Sequence, residues 1–285
     1  MKRKKRSGRR WWSIAIILVG FLICSYPIVS GLYQRSVQSD SLKTYSKALR
    51  RNEDQVEGLL KAADTYNDML FQTQGNYIQG ISDKYLTEKA YEKQLRLKDS
   101  DVMARIEIPK ISVDLPIYHG VSESVLSKGV GHLRSGSLPV GGESTHPALS
   151  GHRGLPSSKL FTRLDELEKG DLFYIDVLGR TLAYRICDIQ TTDPEDTDLL
   201  EIQEGRDLVT LITCTPYGIN TKRLLITGER VAYEKQEKES IQGSIMSIRE
   251  LIFTAAPFVI VTLLLGKEIY HHRKRRRSKE HEEAK

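Results

Sequence analysis

The stretch LVTLITCTPYGINTKRLLITGER, residues 208–230, contains two runs of β-branched and apolar residues on either side of a segment with proline and glycine. This pattern predicts a β-hairpin whose strands are 207–214 and 222–230. In such a hairpin Cys214 ends the first strand and Arg223 begins the second, so the two residues face each other across the mouth of the loop. A cysteine in this position is either a packed apolar side chain or a nucleophile with a cation beside it.

Short strands are also predicted on the N-terminal side of this hairpin. Apolar and polar residues alternate, with interrupting prolines, through MARIEIP (103–109) and ISVDLPIY (111–118). Two further runs, DLFYIDV (171–177) and TLAYRICDI (181–189), flank the turn LGR and predict a second hairpin. Many short strands with one or two helices indicate a closed barrel or a sandwich rather than a wound α/β sheet.

One helix is predicted within this β-rich region, in the segment SSKLFTRLDELEKG (157–170). Ser157 or Ser158 is placed to cap it, and a glycine ends it. Its apolar stripe consists of Leu160, Phe161, Leu164 and Leu167.

Residues 34–100 are predicted to form a helical arm. Apolar residues recur at steps of three and four through residues 36–70, and the opposite face carries mixed charge. The glycine-containing stretch TQGNYIQG (73–80) ends this helix, and a highly charged segment, 82–100, follows it. We expect the arm to be the mobile part of the chain.

The first apolar run, residues 11–33, contains no charged residue and is as long as a bilayer-spanning helix, which needs about 20 residues. Trp11 and Trp12 at one edge and Tyr33 at the other suit the two membrane interfaces. A cleaved signal peptide is the alternative, but no small-x-small cleavage site follows the apolar core. We therefore expect a retained membrane anchor.

A second apolar run, LIFTAAPFVIVTLLLG (251–266), becomes long enough to span a membrane if it begins near residue 245. A helix packed on the outer domain is the alternative. The basic residues that follow the run favour a span, and the positive-inside rule then places both chain ends in the cytoplasm. Residues of about 34–244 would accordingly lie outside the cell, on the surface of the cell membrane.

The charge of the chain is concentrated at its two ends. Residues 1–10 carry seven Lys and Arg without an acid, residues 267–285 carry a net +4, and the whole-chain value of +6 leaves −5 for residues 11–266. An acidic body between basic tails that adjoin apolar runs is not typical of a nucleic-acid-binding protein. Carboxylates do not cluster as a metal site requires, so we predict neither a metal nor another cofactor.

Cysteine catalysis needs a thiolate or a base to make one, an acid for the leaving amine and a donor for the oxyanion. An outer domain with only Cys187 and Cys214 either pairs these thiols or uses one for chemistry. The histidines outside the apolar runs and tails are His119, His132, His146 and His152. His152 follows a short apolar strand in PALSGHRGLP, but loops also hold other histidines, so position alone does not decide.

Three separated segments, in the same order, resemble the sortases. They are IEIPKISVDLPIYHG (106–120), LSGHRGLP (149–156) and TLITC (210–214), the last followed by an arginine nine positions on. Residues 129–175 are similar over their whole length to class C, the pilin-specific sortases. The resemblance covers residues of about 101–230, and the two apolar runs agree with the membrane layout of that class.

The resemblance implies a fold, a reaction and a set of site residues. The fold is a closed eight-stranded β-barrel with short helices. Cys214 matches the family's nucleophile, His152 its catalytic histidine and Arg223 its catalytic arginine. The reaction is transpeptidation at an LPxTG-like sorting signal: the thiolate attacks the threonyl carbonyl, glycine leaves, and an amine resolves the thioester. In the pilin-specific class that amine is a lysine of another pilin subunit.

The chain departs from the class C pattern in two places. The family's lid motif, Asp-Pro-aromatic, is absent from residues 34–100, which argues against a lid of that kind. The residue before the arginine, often histidine in this class, is Lys222. With lysine at this position, no second imidazole beside the arginine competes with His152 for the role of catalytic histidine.

Two alternatives to a pilin polymerase remain at this point. One is a sortase that attaches surface proteins to the cell wall, with a peptidoglycan amine as acceptor. The other is a membrane-tethered domain that binds a partner without catalysis. The predicted organisation is as follows: basic tail 1–10, membrane anchor 11–33, helical arm 34–100, catalytic barrel 101–232, linker 233–244, second transmembrane helix 245–266 and basic tail 267–285.

Overall fold

The structure is a computed structural model that describes residues 4–74, 78–155, 158–244, 251–252, 255–267 and 270. The chain divides into two compact units. One comprises residues 31–245, and the other comprises residues 1–30 together with 246–285.

A closed barrel of eight strands forms the centre of the larger unit, as the family resemblance implies. The strands are β1 (Val102–Ile108), β2 (Val113–His119), β3 (Val130–His132), β4 (Ala148–Ser150), β5 (Leu172–Val177), β6 (Arg180–Thr192), β7 (Leu208–Thr215) and β8 (Lys222–Val231). They are ordered β1-β2-β3-β4-β7-β8-β6-β5 around the barrel. The β2/β3 and β4/β7 pairs are parallel and the others antiparallel. Each strand of this barrel is paired on both sides, which removes the exposed edges of an open sheet.

The alternation in the sequence is explained by this closure, because every second side chain points into the barrel. Ile106, Ile117, Phe173 and Leu211 are completely buried there. Phe173 stacks on Tyr184 with ring centroids 5.5 Å apart.

Helices accompany the strands: α1 (Lys4–Arg51), α2 (Glu53–Thr73), α3 (Ser82–Tyr85), α4 (Glu88–Lys93), α5 (Glu123–Leu126) and α6 (Lys235–Ser240). The predicted arm helix, 36–70, is therefore two helices rather than one. Asn52 separates them: it leaves the helical conformation with φ −122° and ψ 30°, and its buried side-chain amide donates to the carbonyl of Ala48.

The arm is packed against the barrel, in contrast to the expected mobility. Its buried side chains belong to the same hydrophobic cluster as the barrel interior. Asn67 of α2 makes a two-way hydrogen bond with the backbone of Leu138, at 3.1 and 2.7 Å. The hydroxyl of Tyr45 accepts from the amide of Leu178 at 2.8 Å. The apolar stripe that predicted an amphipathic helix is buried here by the barrel.

The prediction of a helix at residues 157–170 is wrong. The chain forms turns there, with a single 3₁₀ turn at Leu164–Glu166. Leu160 has a φ of +34°, which a right-handed helix does not allow. The predicted stripe is nevertheless buried, as Leu160, Phe161, Leu164 and Leu167. Ser157 lies outside the described residues, and Ser158 accepts a hydrogen bond from Gln38 through its hydroxyl instead of capping a helix.

In the smaller unit, residues 251–252 and 255–267 are helical, and the ring of Phe258 packs edge-on against that of Phe21 at 5.7 Å. Of the helices in the described part of the chain, none is both long enough and apolar enough to cross a lipid bilayer. Parts of the predicted second span (245–250, 253–254) and tails (1–3, 268–269, 271–285) lie outside the described residues.

Candidate active site

Cys214 lies near the end of β7 and is half-buried. Its Cα is paired with that of Arg223 at the start of β8, and the next pair is Thr215 with Lys222. The hairpin predicted from the sequence is therefore confirmed, including the register that sets the cysteine opposite the arginine.

His152 lies two residues after β4, the strand that pairs with β7 on the side opposite to β8. β4 runs parallel to β7 with Ser150 opposite Ile212. The pairing continues past the strand end, because the amide of Gly151 donates to the carbonyl of Ile212 at 3.0 Å and the hydroxyl of Thr213 donates to the carbonyl of Gly151 at 2.8 Å. The same register, extended by two residues, would bring His152 level with Cys214 on the barrel rim.

Glu123 contacts the imidazole of His152. The Nε2 atom of His152 lies 3.1 and 3.3 Å from the two carboxylate oxygens of Glu123, which belongs to α5. The side chain of His152 is 26% exposed, whereas that of Glu123 is 79% exposed. The sequence does not predict this partner, because nothing in the local pattern of α5 indicates that it lies next to the end of β4.

The other candidate histidines are engaged in structural hydrogen bonds. His132 is completely buried between the Tyr91 hydroxyl (3.0 Å) and the Ser137 carbonyl (2.6 Å), and burial lowers its pKa to about 4. Both ring nitrogens of His146 are also bonded, one to Glu201 and one to Thr210, and burial lowers its pKa. These hydrogen bonds and the burial distinguish His132 and His146 from His152, which position in the sequence alone does not.

The histidine nearest in sequence to the arm, His119, is bonded as well. Its Nε2 lies 2.8 Å from the carbonyl of Gln94, and its ring meets that of Tyr91 edge-on. Burial lowers its pKa. It therefore fixes the arm to β2 rather than serving the rim of the barrel.

Arg153, the residue after His152, contacts the backbone of Cys214. Its buried guanidinium forms an ion pair with Asp165 at 2.6 Å. The same group donates to the carbonyl of Cys214 at 3.5 Å and to the hydroxyl of Thr215 at 3.3 Å, and it lies 5.6 Å from the ring centroid of Tyr217. This second arginine near Cys214 is also absent from the residues predicted by sequence, although its place directly after His152 is a usable signal.

Arg223 lies at the loop mouth, where it donates from Nη1 to the carbonyls of Asn220 (3.4 Å) and Lys222 (3.2 Å). It is only partly buried. A guanidinium presents five donors in a planar fork, so these contacts leave donors on the same group for a bound carbonyl or oxyanion.

Cys187 is remote from this constellation in the fold and, like Cys24 and Cys214, is a free thiol. Burial raises its pKa, with the neighbouring Glu229 acting in the same direction, and its thiol donates to the carbonyl of Thr227 at 3.4 Å. A thiol held protonated is a poor nucleophile. These contacts are those of a structural residue.

The side-chain alternation along the strand of Cys187 is interrupted. Strict alternation would set Ile189 on the same face as Ala183 and Cys187, but β6 has an irregular register between Ile186 and Asp188. Ala183 belongs to an outer cluster, whereas Ile186 and Ile189 both pack on the barrel interior. An extra residue at a bulge reverses the alternation beyond it.

Within the described ranges, no group of three or more His, Cys, Asp or Glu is arranged to hold a metal ion. The side chains near the rim include a thiol, an imidazole, carboxylates and two guanidinium groups. This donor set supplies a nucleophile, a proton carrier and fixed positive charge, which are the requirements of acyl transfer through a thioester.

Comparison with known proteins agrees with this chemistry. Residues 106–231 match the family profile described as "Sortase domain". The sequence is 36% identical over 129 residues to Sortase D of Bacillus subtilis, covering 44% of this chain and 62% of that protein. The match to Sortase A of Streptococcus agalactiae is 29% and covers 50% of this chain and 58% of the relative. The matched regions therefore span less than two thirds of these curated relatives.

Solved structures match over more of their length. The crystal structure of sortase C-1 from Actinomyces oris is 46% identical, with a TM-score of 0.56 over 63% of this chain and 99% of that one. Sortase C from Streptococcus pneumoniae is 38% identical, with a TM-score of 0.60 over 68% and 97%. Profile, sequence identity and barrel topology all agree, and the chain belongs to the sortase family.

Proposed function

We propose that this protein is a cysteine transpeptidase that cleaves an LPxTG-like sorting signal and transfers the new acyl end to an amine. The observation that carries this proposal is the pairing of Cys214 on β7 with Arg223 on β8, together with the position of His152 two residues after β4, the other neighbour of β7. The paired strands hold the backbones of Cys214 and Arg223 in register, which supports a site that is positioned before substrate arrives.

The reaction follows from the role each side chain can play. The thiolate of Cys214 attacks the threonyl carbonyl of the sorting signal, and the guanidinium of Arg223 donates to the oxyanion that develops. His152 gives a proton to the leaving glycine amine. Arg153 holds the carbonyl of Cys214, so that the nucleophile keeps its place as the thioester forms and breaks.

The acyl acceptor that we propose is a lysine amine of another pilin subunit. Support comes from similar solved structures of class C enzymes, among them "Sortase C1 of GBS Pilus Island 1" at 38% identity over 94% of its length. The pneumococcal sortase C is likewise described in connection with pilin substrate specificity. Attachment of surface proteins to the cell wall is the second candidate, and the match to curated sortases A favours it.

Deletion of the gene distinguishes these two acceptors. We expect loss of the high-mass ladder of covalent pilin polymers from cell-wall extracts, with most other wall-anchored proteins retained, because a lysine-specific polymerase has no part in their attachment. Immunoblots against a pilin and against unrelated wall proteins measure both effects in one extract. An intact ladder together with loss of the unrelated proteins would falsify the pilin assignment and establish wall attachment instead.

We also propose that the protein is anchored in the cell membrane by residues 11–33 and 245–266, with the barrel on the extracellular face. Support comes from the uncharged 11–33 run, from its exposed apolar side chains such as Ile16, Leu22 and Val29, and from the basic residues outside both runs.

Protease treatment of intact protoplasts tests this topology. With both ends in the cytoplasm, the protease should remove epitopes within residues 34–244 and spare tags fused to either terminus. Lysed protoplasts are the control, since both tags must then become digestible. Digestion of the C-terminal tag in intact protoplasts would show that the second span is wrong.

A further inference from the structure

The rim of the barrel has opposite charge on the two sides of the nucleophile. Along the strand order β3-β4-β7-β8, Cys214 on β7 has His152 on one side and Arg223 on the other. Glu123 belongs to α5, which packs against β3, and its carboxylate lies 3.1 Å from Nε2 of His152. A cation and a carboxylate therefore flank the Cys214–His152 pair.

Glu123 differs from the other acids that the structure places near the rim. Asp165 is held by the buried Arg153 at 2.6 Å, and Asp193 by Lys222 at 3.7 Å. The carboxylate of Glu123 is 79% exposed, and it contacts the imidazole of His152. It presents a negative charge to solvent directly beside the proton carrier of the reaction.

We propose that Glu123 binds the ammonium group of the acceptor, so that the amine enters from the His152 side while the sorting signal occupies the Arg223 side. This inference rests on the proposed function, because it concerns the second half of that reaction. A lysine amine with a pKa of about 10.4 arrives as a cation. A carboxylate at the rim attracts that cation and leaves it beside the imidazole that must accept a proton.

The step balances as follows. The ammonium paired with Glu123 releases one proton to solvent and becomes a neutral amine. Its nitrogen attacks the thioester carbonyl, the C–N bond forms, and the C–S bond breaks with its electron pair returning to the sulfur of Cys214. His152, neutral after giving its proton to the earlier leaving group, takes the second proton from the nitrogen. The products are the isopeptide, a thiolate and an imidazolium.

Comparison of two amine nucleophiles tests the proposal in the full-length protein. A lysine amine is cationic at neutral pH, whereas hydroxylamine is uncharged, and both resolve the same acyl-enzyme formed from a sorting-signal peptide. For Glu123→Gln we expect the ratio of the KM for the lysine amine to the KM for hydroxylamine to rise about fivefold, near the upper limit for an exposed ion pair, because any effect through His152 applies to both nucleophiles. Glu123→Lys should raise it further, because the introduced cation repels the ammonium.

The controls separate recognition of the amine from support of the histidine. Glu57→Gln removes an exposed carboxylate of α2 and should leave both nucleophiles unaffected. Equal losses with lysine and hydroxylamine, together with slower acylation, would show that Glu123 only orients His152 and would overturn the proposal. Unchanged kinetics in Glu123→Gln would overturn it as well. Absence of any acyl transfer by the unmodified protein would instead refute the proposed function itself.

Added salt gives an independent measure. The KM of the unmodified protein for the lysine amine should rise with ionic strength, because exposed charges are screened, and that dependence should be smaller in Glu123→Gln. An identical salt dependence in both proteins contradicts a role for the carboxylate in binding the cation.

Discussion

Replacement of Cys214 by alanine is expected to abolish cleavage of the sorting-signal peptide, with a loss of at least about 10⁴-fold in kcat, as for other nucleophiles that act as part of a unit. The half-buried position at the end of β7 accepts alanine without a change of fold, because the register with Arg223 is made by the backbone. Peptide cleavage followed by chromatography measures the loss, and mass spectrometry of the intact protein detects the thioester in the unmodified protein alone.

The chain offers its own control in Cys187→Ala. This variant removes a thiol of the same chain, on β6, where burial raises the thiol pKa. Activity should stay close to that of the unmodified protein, with a loss of stability of about 1 kcal/mol, typical of a substitution at a partly buried site. Loss of activity in soluble, folded Cys187→Ala would overturn the structural role of Cys187. Turnover by Cys214→Ala would show that Cys214 is not the nucleophile.

The central hairpin shows how much the sequence can predict when local signals agree. Two β-branched runs around a segment with Pro216 and Gly218 predict the correct strands, and the length of the loop between them then sets Cys214 opposite Arg223. The closed barrel follows from many short strands and from the resemblance. All of these features depend on residues close together in the chain or on a pattern repeated along it.

The features that the sequence does not predict depend on contacts between residues far apart in the chain, or on the backbone angle of a single residue. The partnership of Glu123 with His152 arises only when the barrel closes. The predicted helix at 157–170 fails because apolar spacing does not reveal a positive φ at Leu160. The arm is expected to be mobile because its polar residues give no sign that Asn67 binds the backbone of Leu138.

The second large effect is expected for Arg223→Lys, which keeps the positive charge and loses the planar fork. In the structure one nitrogen of Arg223 is already bonded to the loop carbonyls of Asn220 and Lys222, and only a group with several directed donors can hold the loop and an oxyanion together. Removal of one oxyanion donor costs about 10²- to 10³-fold in kcat, and we expect a loss of that size.

The neighbouring residue supplies the matched control for this variant. Lys222 pairs with Thr215 in the hairpin and with Asp193 at 3.7 Å, so Lys222→Ala removes a cation of the same loop mouth without touching the guanidinium fork. Single-turnover acylation of Cys214 should remain near normal in Lys222→Ala and become slow in Arg223→Lys, while the KM for the peptide changes less than kcat. Near-normal acylation by Arg223→Lys would mean that positive charge alone is sufficient. The oxyanion would then be held by backbone amides around the loop, and the guanidinium would only keep the mouth of the β7/β8 hairpin in shape.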